Sequence, residues 1–471
     1  MGPPLTVLPG VAAALVAVLV GIGTEGLPKL VLFAIYLTGI LWVSLQNFRF
    51  GVSVLVALLP QQGVIRWDDW ESSSPAGVVT LLTIGLVATL AIRKVIKRKP
   101  VSFMRQEIPL LGLMAIFLSL VIAQIIASSS LSPVLILLMA REYVVPLLTF
   151  VLVYAVLKED TRLGPYILLV LFISTVFVAV LNLVHYIFGL GIDLPRWVVH
   201  YSSGIPAVRT FGPLELPRLN HILGLSTQGA GAVYYVIVGA VGLTLSNAFS
   251  WSWGRRVMLV AGSLVLFSAA LLSLSLSAIF AAALIVFAWL VMTLRSPSRA
   301  CQNTGIILLV PAVAFMMVVF YWVSLSGLTI YEYGYQSFIK PVGEWLARMT
   351  LYDFVFGSGL GLKGATWLEN NALDVPGAVI FDRWVLVAFL QMGMIGFLSM
   401  MSVWVAALLT AVFQPTERGN PVLWACAAIF VGMFAFAHGA APLERLFSPL
   451  FGMGLALLLT SMEYTKRPII H

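Results

Sequence analysis

Fourteen apolar runs, separated mostly by short polar links, constrain this chain more than any other feature. They occupy approximately 4–22, 28–45, 49–60, 77–93, 108–127, 133–157, 163–189, 223–246, 257–275, 277–294, 304–325, 383–410, 421–440 and 446–462. A helix needs roughly 20 apolar residues to cross a bilayer. Of the 471 residues, 61% are hydrophobic and only 10% are charged, which excludes a soluble fold. The sequence therefore predicts an all-α polytopic membrane protein, with residues 1–471 forming one transmembrane domain.

The number of spans depends on the third run. Residues 49–60 would form a helix of about 18 Å, shorter than the roughly 30 Å hydrocarbon core. This run is predicted to be tilted or re-entrant, and the expected count is about 14 transmembrane helices, within a range of 12–14. The first run, 4–22, exceeds the apolar core of a signal peptide and is predicted to be a retained span.

Basic residues predict the orientation of the spans. Six of them lie between 93 and 105, and the positive-inside rule places this link in the cytoplasm. Alternation from there puts both termini inside, together with 16 of the 27 basic residues and five of the 19 acidic ones. The inner side then carries a net charge of +11 and the remainder of the chain carries −3.

Two long segments, 190–222 and 326–382, fall on the outer side in this topology. Both mix aromatic and charged residues, which predicts short amphipathic helices lying at the membrane interface. Long loops carry function more often than short ones. The outer segments are therefore the first places to look for a site.

Candidate residues of the first long segment stand just before a span. They are Arg209, Arg218, Asn220 and His221. An arginine there is well suited to bind a phosphate or diphosphate, although it is also the residue that meets lipid headgroups at an interface. His221 is either a general base or a hydrogen-bonded loop residue.

The sixth run contains an ionisable pair, Arg141 and Glu142. Arg141 is expected about 12 Å along the helix from Pro133. Charges at such a depth are costly and face a cavity or a partner. Arg141 is thus predicted either to line a polar cavity or to belong to a buried structural ion pair.

The second long segment has the densest group of candidates. Arg348 precedes four glycines between 357 and 364, and Lys363 lies among them. Backbone amides of such a run can approach an anion, or the glycines can form a tight turn that returns the chain to the membrane.

The same segment ends in Asp382 and Arg383, at the mouth of the twelfth run. Asp382 can accept a proton from a hydroxyl group or pair with an arginine. Gln391, Gly393 and Gly396 follow within the run, where the two glycines predict close packing between helices.

Two polar stretches have a mainly structural interpretation. The serines at 273, 275 and 277 can line a polar seam or hydrogen-bond within their own helix. The acidic residues of 67–71 are predicted to be a solvated face rather than a metal site. Cys301 and Cys426 support neither a disulfide nor a metal centre, so no metal is expected.

These motifs together resemble the O-antigen ligase and polymerase superfamily, the Wzy-type bacterial membrane glycosyltransferases. The resemblance rests on Arg209 with Asn220, on the long segment with Arg348 and FGSGLGL, and on Asp382 with the glycine pair. It covers roughly residues 205 to 440 by motif. The ligase branch has a His where this chain has Asp382, at the same spacing from Gly393, which favours a polymerase.

The resemblance implies a GT-C-like architecture in the bacterial inner membrane, with the active site facing the periplasm. The implied activity is that of a polysaccharide polymerase, which transfers a glycan from an undecaprenyl-diphosphate carrier to a sugar hydroxyl of a lipid-linked repeat unit. It needs neither a metal nor a nucleotide-sugar cofactor. The expected partners are that lipid-linked glycan, membrane lipid, and a chain-length regulator or export protein, with no nucleic acid.

Two alternatives stay open beside this prediction. One is an O-antigen ligase acting on lipid A-core, and the other is a lipid-linked oligosaccharide flippase or transporter. The 57-residue outer segment 326–382 argues against a transporter.

The reaction needs stabilisation of negative charge on the leaving diphosphate and a positioned or deprotonated hydroxyl. The predicted catalytic residues are Arg209 and Arg348, which bind the diphosphate, and Asp382, which acts as base or orients the acceptor. The predicted substrate-binding residues are Arg141, Arg383, Arg218, Asn220, His221 and Lys363.

Overall fold

The computed structural model describes fourteen stretches of the chain. They are residues 27–61, 78–97, 108–127, 133–188, 208–211, 214–217, 219, 228–246, 252–273, 275–295, 350–357, 384–413, 420–437 and 447–464.

Thirteen α-helices and one β-hairpin make up nearly all of these stretches. In chain order they are α1 (Leu27–Gln46), α2 (Phe48–Leu58), α3 (Val78–Lys97), α4 (Ile108–Ala127), α5 (Pro133–Glu159), α6 (Gly164–Phe188), β1 (Val208–Phe211), β2 (Leu214–Pro217), α7 (Gln228–Ser246), α8 (Trp253–Leu272), α9 (Leu276–Leu294), α10 (Leu351–Phe356), α11 (Trp384–Phe413), α12 (Pro421–Ala437) and α13 (Phe447–Tyr464). Two short 3-10 turns, Leu59–Gln61 and Thr161–Leu163, follow α2 and α5.

Twelve of the fourteen apolar runs are helical. The runs 4–22 and 304–325 lie outside the described residues. Six segments in the described part of the chain are long and apolar enough to cross a membrane: Val79–Ile96, Ile108–Ile126, Thr161–Val184, Trp253–Leu272, Ser277–Leu294 and Gln391–Phe413. Large apolar side chains such as Ile84, Val95 and Phe287 are exposed on them. The chain is a helical membrane protein, as its composition predicts.

Helices α7 and α12 form the centre of the bundle. Helix α7 contacts α6, α8, α9 and α12, and α12 also contacts α13 and α11. Residues 231–242 and 425–433 are buried throughout, which suits helices that are apolar on all sides. Helix α13 packs closely on α5, where a Cβ on Gly452 would lie 1.9 Å from the carbonyl oxygen of Pro146.

Several charged side chains join helix ends at one end of the bundle, here named the basic end. Arg93 at the end of α3 donates to the carbonyl oxygens of the last three residues of α1, at 3.1, 3.1 and 3.2 Å. Its guanidinium also lies 5.6 Å from the centre of the Phe48 ring. Arg49 and Asp160 form an ion pair at 3.7 Å. Cationic groups are favourable at the carbonyl end of a helix, which explains the place of Arg93.

Helix α2, the run predicted to be tilted or re-entrant, has only 11 residues, nine of which are buried. It contacts α6, and the Ser174 hydroxyl of α6 donates to the carbonyl oxygen of Ala57. Ser174 lies about 15 Å along α6 from Gly164. Helix α2 thus ends deep inside the bundle, beside the middle of a membrane-crossing helix.

The first long segment differs from its prediction. Short amphipathic helices are expected there, whereas 208–217 contains the antiparallel hairpin β1–β2, in which Arg209 pairs with Leu216. The sequence accounts for this in part: Leu214, Glu215 and Leu216 alternate apolar and polar residues, and the prolines at 213 and 217 disfavour a helix. In the second long segment, α10 is a short helix, as predicted.

Candidate functional site

Helix α11 is broken at Gly393. This residue has φ 66° and ψ −174° inside an otherwise helical stretch. That backbone conformation is essentially restricted to glycine. The break divides α11 into a shorter arm, 384–392, and a longer arm, 394–413, and it lies near the start of the membrane-crossing segment Gln391–Phe413.

Gly357, which ends α10, lies directly against this break. It has φ 87°, and a Cβ added to it would lie 2.3 Å from the carbonyl oxygen of Gln391 and 2.6 Å from the amide nitrogen of Gly393. A Cβ on Gly393 would lie 2.4 Å from both the Gly357 nitrogen and the Val355 oxygen. Two backbones meet here with no room for a side chain. We name Gly357, Gln391 and Gly393 the glycine junction.

Both ends of α10 are capped. The Thr350 hydroxyl accepts from the Asp353 amide at 3.1 Å and donates to the Asp353 carboxylate at 2.9 Å. At the other end, the Gly357 amide donates to the Asp353 carbonyl at 2.8 Å. The Gln124 side chain of α4 donates to the carbonyl oxygen of Phe356. A helix of six residues is not stable alone. The caps stabilise its two ends, and the bond from Gln124 ties it to α4.

Aromatic rings attach α10 to the shorter and longer arms of α11. Phe354 of α10 meets Phe389 edge-on, with ring centres 5.6 Å apart. Phe389 in turn meets Phe397 edge-on at 5.9 Å. Such pairs favour one orientation of their rings. The position of α10 relative to the break is therefore set by packing as well as by hydrogen bonds.

A buried tyrosine connects the junction to α5. The Tyr143 hydroxyl donates to the side-chain oxygen of Gln391 at 2.7 Å, and both residues are at most 1% exposed. Tyr143 stands two residues after Arg141 and three before Pro146. Because proline has no N–H, the carbonyl of Glu142 lacks its usual helical donor. Polar groups of α5 and α11 thus occur together within an apolar bundle.

The junction also joins the middle of the long segment 326–382, at Gly357, to α11, the helix that follows this segment. Arg348 stands two residues before Thr350, from which α10 reaches Gly357 in about 10 Å. Asp382 and Arg383 immediately precede Trp384, about 14 Å of helix from Gly393. Arg348 on one side, and Asp382 and Arg383 on the other, thus adjoin in the sequence the two helices, α10 and α11, that meet at the junction.

The predicted site residues divide into two groups in the structure. Arg209 lies in β1 and Arg141 in α5. The remaining candidates lie outside the described residues: Arg218, Asn220, His221, Arg348, Lys363, Asp382 and Arg383. Leu219, between two of them, is fully buried, and its amide donates to the Leu272 carbonyl at 2.9 Å.

Two glycine predictions are sharpened by this geometry. Gly393 does allow another helix, α10, to pack closely, and it also breaks its own helix against Gly357, which its spacing from Gly396 does not predict. An added Cβ on Gly396 would meet the Met392 side chain of the same helix. For the run 357–364, the conformation of Gly357 supports the tight turn, and the other glycines lie outside the described residues.

Of the two polar stretches with a structural interpretation, the structure describes residues of one, the serines, and not of the other, the acidic stretch. The Ser273 hydroxyl donates to Ala269 of its own helix at 2.8 Å, which confirms the prediction for that residue. The acidic stretch 67–71 lies outside the described residues. Within the described part of the chain, no group of three His, Cys, Asp or Glu residues is placed to hold a metal.

Sequence reasoning missed Tyr143 and Gln124, which hydrogen-bond to Gln391 of the glycine junction and to Phe356 beside it. Gln124 is an isolated amide in the apolar run 108–127, and Tyr143 adjoins the Arg141–Glu142 pair. An amide that interrupts an apolar run signals a hydrogen-bond partner in the membrane. The identity of that partner cannot be read from the run itself.

No family model, curated protein or solved structure matches this chain.

Proposed function

We propose that this protein is a polysaccharide polymerase of the bacterial inner membrane. It transfers a glycan from an undecaprenyl-diphosphate carrier to a sugar hydroxyl of a lipid-linked repeat unit, on the periplasmic face. The proposed architecture is GT-C-like with about 14 spans and both termini in the cytoplasm. The bond between the anomeric carbon and the diphosphate breaks, a bond to the acceptor oxygen forms, and undecaprenyl diphosphate leaves.

The glycine junction is the observation that carries this proposal. It joins Gly357, in the middle of the second long segment, to α11, the helix that follows this segment; in the sequence, Arg348 precedes α10 and Asp382 and Arg383 precede α11. Tyr143 adds α5 to the same point. Catalysis of glycosyl transfer needs cations and a carboxylate held in fixed relative positions. A junction made of backbone atoms is a suitable support for such a set.

Each candidate then has a chemical role. Arg209 and Arg348 stabilise the negative charge that develops on the diphosphate, with Arg141 and Arg383 assisting. The Asp382 carboxylate takes the proton of the attacking hydroxyl or orients that hydroxyl. Arg218, Asn220, His221 and Lys363 contribute to binding of the donor and acceptor. Because the diphosphate is already a good leaving group, the proposed reaction needs no metal and no nucleotide sugar.

A flippase is the alternative that one observation favours. Discontinuous membrane helices, such as α11 at Gly393, are typical of many transporters. In those proteins, however, the sequence usually repeats the interruption in a second, inverted half, and no such repeat is visible in this chain. The ligase alternative is disfavoured by Asp382 at the position where that branch has a His.

Reconstitution separates the three activities. Purified protein in detergent is mixed with a lipid-linked repeat unit, without ATP and with EDTA, and the products are resolved on a gel. A polymerase yields a ladder of longer glycans. A ligase yields a product only when lipid A-core is added, and a flippase yields none, since detergent leaves no barrier to cross. Unchanged repeat units with folded protein would contradict the proposal.

Site variants test the residue assignment within the same assay. Arg348→Ala and Arg209→Ala are each expected to lower the rate of ladder formation by roughly 100-fold or more, the scale of losing one charge-stabilising group. Arg255→Ala is the matched control, because it removes an exposed arginine at the start of α8. Wild-type rates in both site variants would contradict the assignment even if a ladder forms.

A further inference from the structure

The glycine junction depends on two side chains that lie outside the long segment itself. Tyr143 of α5 donates to Gln391 at 2.7 Å, in a fully buried position. Gln124 of α4 donates to the Phe356 carbonyl, one residue before Gly357. One bond thus holds the α11 side of the junction and the other holds the α10 side.

We propose that Tyr143 and Gln124 are positioning residues, which fix α10 against α11 through the glycine junction. Neither side chain has to touch the substrate for this role. The catalytic consequence rests on the function proposed above, which uses Arg348 and Asp382, residues that precede α10 and α11 in the sequence: when either bond is lost, those two helices are held less firmly against each other. The structural consequence does not depend on that function.

The form of the junction explains why these bonds matter. The last carbonyls of α10 and the backbone groups freed at Gly393 have no helical partners of their own. Helix α10 is too short to persist without external contacts. Each bond to α4 or α5 therefore stabilises a single docked position of α10 against many undocked ones. A typical hydrogen bond within a protein shifts such a balance by roughly five- to tenfold.

The bundle contains a matched control for Tyr143. Tyr235 of α7 is also fully buried, and its hydroxyl accepts a hydrogen bond from the side chain of Asn182 in α6. Tyr143→Phe and Tyr235→Phe therefore remove the same atom from comparable surroundings. They differ in that only Tyr143 bonds to a residue of the glycine junction.

Amide hydrogen exchange of the full-length protein in detergent tests the structural part. The amides of Phe354 and Gly357 are bonded to Thr350 and Asp353 at 3.0 and 2.8 Å, so they report whether α10 is docked. Tyr143→Phe and Gln124→Leu are expected to raise exchange in 351–357 by roughly five- to tenfold. Tyr235→Phe is expected to leave it unchanged. Unchanged exchange in the first two variants, or an equal rise in all three, overturns the proposal.

Polymerisation kinetics test the catalytic part. In Tyr143→Phe and Gln124→Leu, kcat is expected to fall by roughly five- to tenfold while KM for the lipid-linked repeat unit changes by less than about twofold. Tyr235→Phe should keep the wild-type kcat. An equal fall in kcat for Tyr143→Phe and Tyr235→Phe would indicate a general loss of folding and overturn the positioning role. A wild-type protein that forms no ladder overturns the proposed function alone, because the exchange experiment uses no substrate.

Discussion

Helices α2 and α11 are both interrupted inside the bundle, but one of them stops there and the other continues. Helix α11 breaks at Gly393 and continues in a new direction. Helix α2 stops at Leu58, beside the middle of α6. Each interruption leaves backbone N–H or C=O groups without helical partners, at a place where water is scarce. Such groups need partners within the protein, because leaving them unpaired in a membrane is costly.

The difference lies in which atoms adjoin the interruption. At Gly393 the neighbouring atoms belong to another backbone, that of Gly357 and the end of α10. At the end of α2 a side chain, the Ser174 hydroxyl, donates to Ala57. Truncating a side chain such as Ser174 removes one hydrogen bond. A backbone that is too close to a new side chain can move away only if its whole segment moves. The cost of substitution should therefore be larger at the glycine junction.

The largest effect is expected from Gly393→Ala. The new methyl group would lie 2.4 Å from backbone atoms of Gly357 and Val355, and alanine is strained at φ 66°. We expect a loss of about 3 kcal/mol in the free energy of unfolding. Denaturant titration in mixed micelles measures this loss. The polymerisation rate per folded molecule should fall by more than about 100-fold, because α10 can no longer dock.

Gly112→Ala is the control for this substitution. Gly112 lies in α4, which contacts α11, and a Cβ added to it would have no atom within 4 Å. Alanine is also the better helix former, so stability should be unchanged or should rise by up to about 1 kcal/mol. Similar losses in both variants would show that the backbone contact at Gly393 has no special role.

An intermediate effect is expected from Ser174→Ala. The substitution removes the donor to the Ala57 carbonyl at the buried end of α2, which should lower the free energy of unfolding by about 1–3 kcal/mol. Ser263→Ala is the matched control: Ser263 is equally buried, but its hydroxyl donates to Leu259 of its own helix at 2.9 Å. That carbonyl already has its helical donor, so the loss should be only a few tenths of a kcal/mol. Equal losses would contradict the role assigned to Ser174.

Much of the fold follows from the sequence because apolar runs of this length have few alternatives in a membrane. Twelve runs are helical, with boundaries close to those of the runs themselves. The short third run is correctly predicted to be exceptional, since 11 or 12 residues cannot span the core. Hydropathy does not distinguish a hairpin from a short helix in a segment that mixes apolar and polar residues, which is why β1 and β2 were not predicted.

The site was less predictable because it depends on the backbone conformation of Gly393 and Gly357 and not on which residue types are present. Gly393 and Gly396 look alike in the sequence, three residues apart in one apolar run. Only Gly393 breaks the helix, and it does so against Gly357, which lies 36 residues earlier. Tyr143 and Gln124 gain their roles through the same long-range contact. The residues next to a glycine in the sequence do not indicate whether that glycine contacts another backbone.

The smallest effect is expected at the basic end, where water can replace the protein partner. Arg93 donates to three carbonyls at the end of α1, so it provides more hydrogen bonds than Ser174 does. Two of those bonds are exposed, and exposed charge-assisted contacts are typically worth about 0–1 kcal/mol. Arg93→Ala should therefore lower the free energy of unfolding by less than about 1 kcal/mol, and Arg93→Lys by less still, because the cation at the helix end is kept. A loss in Arg93→Ala as large as that in Ser174→Ala would show that the number of hydrogen bonds, and not their separation from water, sets the cost of interrupting a helix in this bundle.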